Sequence, residues 1–136
     1  MVTAVTAQDT GGLKQFTSVD PELVIAQARA VLEDMPVAAI KTGMLASATL
    51  VAAIESILQD YPAIPLIVDP VLATNAGQSL ADEPLEAAIR SLLLPRTTLI
   101  TPNSPEARAL APSADSLDAC AQELISLGAQ YVLITG

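Results

Sequence analysis

The 136 residues suit a single domain spanning 1–136, and a 51% hydrophobic content with only 2% aromatic residues predicts a core built from Ala, Val, Leu and Ile. Acids outnumber bases fifteen to six, for a net charge of −9, and the six bases (Lys14, Arg29, Lys41, Arg90, Arg96, Arg108) are scattered, which argues against a nucleic-acid partner because phosphate binding needs clustered Lys and Arg. The absence of histidine excludes a Cys/His zinc site and histidine-activated nucleophiles, and the single Cys120 excludes an internal disulfide.

Val2 to Ala7 predicts a strand, broken by Gln8-Asp9-Thr10-Gly11-Gly12. Asp20-Pro21-Glu22 predicts a helix start, with Asp at the N-cap and Pro at the first helical position, and Pro36 ends that helix. Val37 to Ile40 predicts a buried strand, and Ser47 to Gln59 a second helix with Leu50, Val51, Ile54, Ile57 and Leu58 at helical spacing. Leu66 to Val68 predicts a strand, Pro84 to Leu94 a helix and Thr98 to Ile100 a strand. Short and longer helices follow at Pro105 to Leu110 and Ser116 to Leu127, the latter stopped by Gly128, and Tyr131 to Ile134 predicts the last strand. Strand and helix thus alternate five times, the βαβ pattern of an α/β fold: a mostly parallel central sheet flanked by helices on both faces. Cys120, among Leu117, Ala121 and Leu124, reads as a small buried hydrophobe. No apolar run approaches the roughly 18 residues that cross a bilayer, and the chain has no signal-peptide start, so it is read as cytoplasmic with no membrane partner.

Open α/β sheets bind ligands beyond the carboxyl ends of their strands. Those ends carry Gln8-Asp9-Thr10-Gly11-Gly12, Lys41-Thr42-Gly43-Met44, Asp69-Pro70, Thr101-Pro102-Asn103 with Glu106 beyond, and Thr135-Gly136. All five are expected to converge on one rim. Asp69 and Glu106 suit magnesium, held directly or through water. Asn103 at a helix start suits phosphate oxygens, Lys41 can neutralise phosphate, and Gly43 lets the backbone come close. Gln8 both donates and accepts, as a heterocycle edge requires, and Met44 offers an adaptable apolar wall. The alternatives are plain ones: Asp69 as a turn residue before Pro70, Asn103 as an N-cap, and Glu106 as an early-helix acid favoured by the dipole. No Walker loop or dinucleotide fingerprint is present.

Five stretches carry a resemblance: Thr3-Ala4-Val5-Thr6-Ala7-Gln8-Asp9-Thr10, Ile40-Lys41-Thr42-Gly43-Met44, Val68-Asp69-Pro70-Val71-Leu72 with Gly77, Ile100-Thr101-Pro102-Asn103-Ser104-Pro105-Glu106-Ala107, and Val132-Leu133-Ile134-Thr135-Gly136. In order and spacing the chain resembles the central portion of the ribokinase-like vitamin kinases, above all the hydroxymethylpyrimidine/phosphomethylpyrimidine kinases of thiamine biosynthesis. The resemblance implies that Gln8 bonds a pyrimidine substrate with Met44 and Gly43 lining its pocket. It implies that Asp69, Asn103 and Glu106 organise magnesium and the ATP phosphates, and that Thr135 and Gly136 open the loop bordering the nucleotide. The implied reaction moves the γ-phosphoryl of ATP to a hydroxymethyl group or to a phosphate already attached there. Family members commonly carry Lys at Asn75 and Asn at Asp9. They are longer, with an N-terminal Gly-x-Asp-x-Ser-Gly-Gly-Ala-Gly loop and a downstream Gly-Thr-Gly-Cys segment that supplies the presumed base. The expectation is therefore a kinase domain incomplete at both ends, with no catalytic residue of its own and inactive alone, whose uncovered apolar surface and strand edges favour a homo-oligomer. A pyridoxal-kinase-like enzyme and a non-catalytic pyrimidine-binding or assembly module are the alternatives.

Overall fold

The computed structural model describes residues 1–73 and 80–136; Asn75 and Gly77 lie outside the described residues. The chain opens with a hairpin of β1 (Ala4–Asp9) and β2 (Gly12–Ser18). This corrects the expectation for the first strand: it pairs antiparallel in a two-stranded sheet of its own and is not a member of the parallel sheet. The predicted break is its turn, where Asp9 Oδ1 accepts the Gly11 N–H at 2.8 Å and Gly12 adopts a φ of 122°. The second strand escapes sequence reading because most of the hairpin is exposed, so its side chains carry no burial pattern.

Helix α1 (Pro21–Leu32) starts as predicted, with the Asp20 carboxylate accepting the N–H groups of Glu22 and Leu23. Strand β3 covers Ile40–Thr42, later than expected. Its ladder opens where the Ile40 N–H donates to the Pro65 carbonyl at 2.9 Å, so pairing includes Lys41 and Thr42 and omits the apolar Val37 to Ala39. The expected burial is not found either: Ala38 and Ala39 are exposed and Val37 and Ile40 only half-buried, so apolar composition here marks neither burial nor pairing, which depends on the neighbouring strand. Helix α2 (Ala48–Asp60) buries Leu50, Val51, Ile54, Ile57 and Leu58, the apolar stripe anticipated. After β4 (Leu66–Val68), α3 (Glu83–Ala88) continues through a wide π-helical turn, Ile89–Leu93, into a tight 3-10 turn, Leu94–Arg96. The single regular helix expected at 84–94 thus changes pitch before Pro95, which has no N–H to continue α-helical bonding. Strand β5 (Thr97–Ile100), α4 (Ser104–Leu110), α5 (Leu117–Ser126) and β6 (Tyr131–Val132) complete the described chain.

Strands β3, β4, β5 and β6 lie side by side in that order, all parallel. One registered row, Thr42, Val68, Ile100 and Val132, faces the core. There Leu66, Val68 and Ile100 meet Val51, Ile54 and Leu58 of α2, Leu85 and Ile89 of the third helix, Leu110 and Leu124. Each such side chain contributes about 1.5–3 kcal/mol on burial. The alternate row, Lys41, Ile67, Leu99 and Tyr131, points to the opposite face, where Tyr131 is 66% exposed. Cys120 is fully buried beside Ala107 and Ala111. No described helix is long and apolar enough to cross a membrane. Because the strands are parallel, the loops after Thr42, Val68, Ile100 and Val132 emerge at one end of the sheet, and the candidate site is built there.

Candidate functional site

The hairpin leans over that end. Thr3 Oγ1 donates to the Met44 carbonyl at 2.8 Å, which ties the root of the hairpin to the loop after β3. Between them opens a cavity of about 480 Å³, lined by Gln8, Asp9 and Gly11 from the hairpin, Met44, and Val71 and Ala73 from the loop after β4. Gln8 reaches it from a strand whose register shifts between Ala7 and Gln8. Such a bulge re-aims the side chains beyond it. Gly43 precedes Met44, and a Cβ built on it meets nothing within 4 Å. The sequence offers no sign of the Thr3–Met44 bond, since Thr is ordinary in a strand.

A second, open hollow of about 450 Å³ is lined by Ser104, Asp118, Thr135 and Gly136. Asn103 and Thr135 pair as an isolated parallel bridge, the Thr135 N–H donates to the Pro102 carbonyl at 2.8 Å, and Ser104 Oγ donates to the Gly136 carbonyl at 3.3 Å. The fold therefore brings Gln8 and Met44 together in one place and Asn103, Thr135 and Gly136 in another. Along that one end of the sheet the two groups occupy separate hollows on neighbouring loops.

Between them lie the two candidate metal-binding acids. Asp69 follows β4, its N–H donating to the Thr42 carbonyl at 3.0 Å. Its Oδ2 accepts the Lys41 ammonium at 2.8 Å, with both side chains partly exposed. Lys41 thus faces a carboxylate, not open space awaiting phosphate. Glu106 is 7% exposed and forms a capping box with Asn103: Asn103 Oδ1 accepts the Glu106 N–H at 2.9 Å, and Glu106 Oε2 accepts the Asn103 N–H at 2.9 Å. Its other oxygen, Oε1, accepts the Leu72 N–H at 3.3 Å. The plain expectations for Asn103 as an N-cap and Glu106 as an early-helix acid describe these contacts.

Among the described residues no three carboxylate, histidine or cysteine groups gather as a metal cage. Asp69 is a partly exposed carboxylate shared with a lysine, and Glu106 is a buried one whose two oxygens each accept a backbone N–H; a magnesium ion that keeps most of its waters asks for few protein oxygens. Thr42 Oγ1, at the end of β3, is buried with no hydrogen-bond partner among the described residues.

The family described as phosphomethylpyrimidine kinase matches residues 1–136. The chain is 41% identical to the hydroxymethylpyrimidine/phosphomethylpyrimidine kinase of Mycobacterium tuberculosis, an alignment that covers 99% of this chain and 51% of that protein. Its structure is similar to that of a phosphomethylpyrimidine kinase from Clostridium difficile, with a TM-score of 0.87, 32% identity, and 99% of this chain and 60% of that one covered. It is also similar to a pyridoxal kinase from Staphylococcus aureus in complex with AMP-PCP and pyridoxal, with a TM-score of 0.82, 27% identity, and 99% and 49% covered. The chain spans about half the length of the curated relatives it matches.

Proposed function

The chain belongs to the phosphomethylpyrimidine kinase family, and from that premise we propose that it serves the ATP- and magnesium-dependent phosphorylation of hydroxymethylpyrimidine, its monophosphate or both, in thiamine biosynthesis. The observation that carries this reading is the cavity that Gln8 and Met44 share beneath the hairpin. Its volume suits a small molecule, and an amide beside an apolar wall suits a flat heterocycle. Gln8 would donate to and accept from the ring edge, Met44 would pack on its face, and Gly43 would leave room beside it. Asn103, Thr135 and Gly136 would border the nucleotide in the neighbouring hollow, and Asp69 and Glu106 would hold magnesium. Magnesium would supply charge neutralisation for phosphates whose transfer depends chiefly on positioning. No catalytic base is assigned within residues 1–136, so this chain alone is proposed to be inactive.

The relation to pyridoxal kinase structures favours one second reading, with pyridoxal as the accepted alcohol. A competition between hydroxymethylpyrimidine and pyridoxal separates the two. We also propose a cytoplasmic setting and a homo-oligomer, the latter supported by the exposed Ile125, Tyr131 and Leu133 at and beside β6. The deciding experiment is a magnesium-ATP assay with hydroxymethylpyrimidine and its phosphate, run on this chain and on a version extended at both ends. Phosphorylation by the extended chain alone supports the whole reading. Activity in neither, with pyrimidine still bound, would make the chain a binding module.

A further inference from the structure

Glu106 does more than begin a helix. Its carboxylate is almost fully buried, and its two oxygens serve two different segments: Oε2 the Asn103 N–H at the start of α4, and Oε1 the Leu72 N–H in the loop after β4. Leu72 is itself a core residue, set between two residues of the cavity wall. Its neighbours Val71 and Ala73 line the cavity that Gln8 and Met44 enter, and its carbonyl accepts the N–H of Leu80, a further lining residue, at 2.8 Å. Glu106 itself is not among the residues lining the cavity. We infer that Glu106 is a positioning residue, holding the pyrimidine-side wall through the Leu72 N–H and so linking that wall to the Asn103–Thr135 loops of the second hollow.

A buried carboxylate can do this where a neutral side chain cannot. Both oxygens accept, and hydrogen bonds to a charged acceptor are roughly twice as strong as neutral ones. An amide in its place satisfies one N–H and turns a donor toward the other. A buried donor left without its acceptor pulls the segment carrying it toward water. The effect would reach Val71, Ala73 and Leu80 together, because Leu72 is bonded through both its N–H and its carbonyl.

This inference rests on the pyrimidine reading of the cavity, and its test removes metal from the question. Hydroxymethylpyrimidine is titrated calorimetrically into the wild-type chain and Glu106→Gln, with EDTA present and no nucleotide, alongside hydrogen exchange at the Leu72 amide. The expected result is about tenfold weaker binding in the variant, the size of one hydrogen bond, with Leu72 protection lost. Glu106→Asp keeps the charge a metal would use but is one methylene shorter. It is expected to weaken binding similarly, and it serves if the glutamine variant does not melt cooperatively. Wild-type pyrimidine affinity in either folded variant overturns the inference and leaves the substrate reading standing. A wild-type chain that binds no pyrimidine removes the pyrimidine reading of this cavity, and the inference with it.

Discussion

The Lys41 ammonium donates to Asp69 Oδ2 at 2.8 Å, joining two side chains 28 residues apart at the ends of neighbouring strands. Parallel register places them there: Lys41 pairs with Ile67, and Asp69 lies two residues on, on the same face of the sheet. Each is more than a third exposed, so solvent screens the pair and it contributes little to folding. Its consequence is for ligands, because a cation approaching Asp69 meets a lysine already in place.

Lys41→Met is therefore expected to change stability by less than about 1 kcal/mol. On the proposed assignment of Asp69 to magnesium, the same variant should bind the free ion about two- to fivefold tighter at low ionic strength, since the competing ammonium is gone. A magnesium titration without nucleotide measures this. Equal or weaker binding would remove Lys41 as a competitor.

Gln8 is exposed on the hairpin, and its substitution has no core to disturb. Gln8→Ala should leave the melting temperature unchanged and lower hydroxymethylpyrimidine affinity about tenfold, with ADP affinity unaffected. Parallel titrations of the two ligands check it, and an equal loss for both would move Gln8 out of the pyrimidine pocket.

Thr42→Val replaces a buried hydroxyl, unpartnered among the described residues, with a methyl of nearly the same shape. The hydroxyl's lost hydration is then no longer a cost, and stability should rise by about 1 kcal/mol. Urea denaturation reads the change. A loss of stability would mean that the hydroxyl finds a partner in solution.

Gly128→Ala should be the most damaging of these changes. Gly128 has a φ of 118°, and a Cβ there would lie 2.6 Å from Pro95 Cα, against backbone that cannot swing aside. A cost of about 1–3 kcal/mol is expected, seen as a lower melting temperature with ligand affinities unchanged. An alanine variant as stable as wild type would show that the turn relaxes.

Local chemistry was enough to reveal much of the fold. Asp20 followed by Pro21 marks the start of α1, the apolar stripe of 50–58 marks α2, and Gly128 marks the end of α5, because caps and periodicity act over three or four residues. The repeated strand–helix order was likewise enough for a parallel sheet, and with it the polar loops at its carboxyl end. Only the tertiary structure decided that β1 leaves that sheet to form an exposed hairpin, since residues that bury little carry no hydrophobic pattern. It alone decided the partners of the candidate site residues. Lys41 meets Asp69 across 28 residues and Glu106 reaches Leu72 across 34, contacts set by strand register and loop path. A sequence specifies which side chains can accept or donate. Which donor reaches which acceptor is settled when distant segments pack, because a hydrogen bond requires approach to about 3 Å and no local pattern encodes that distance.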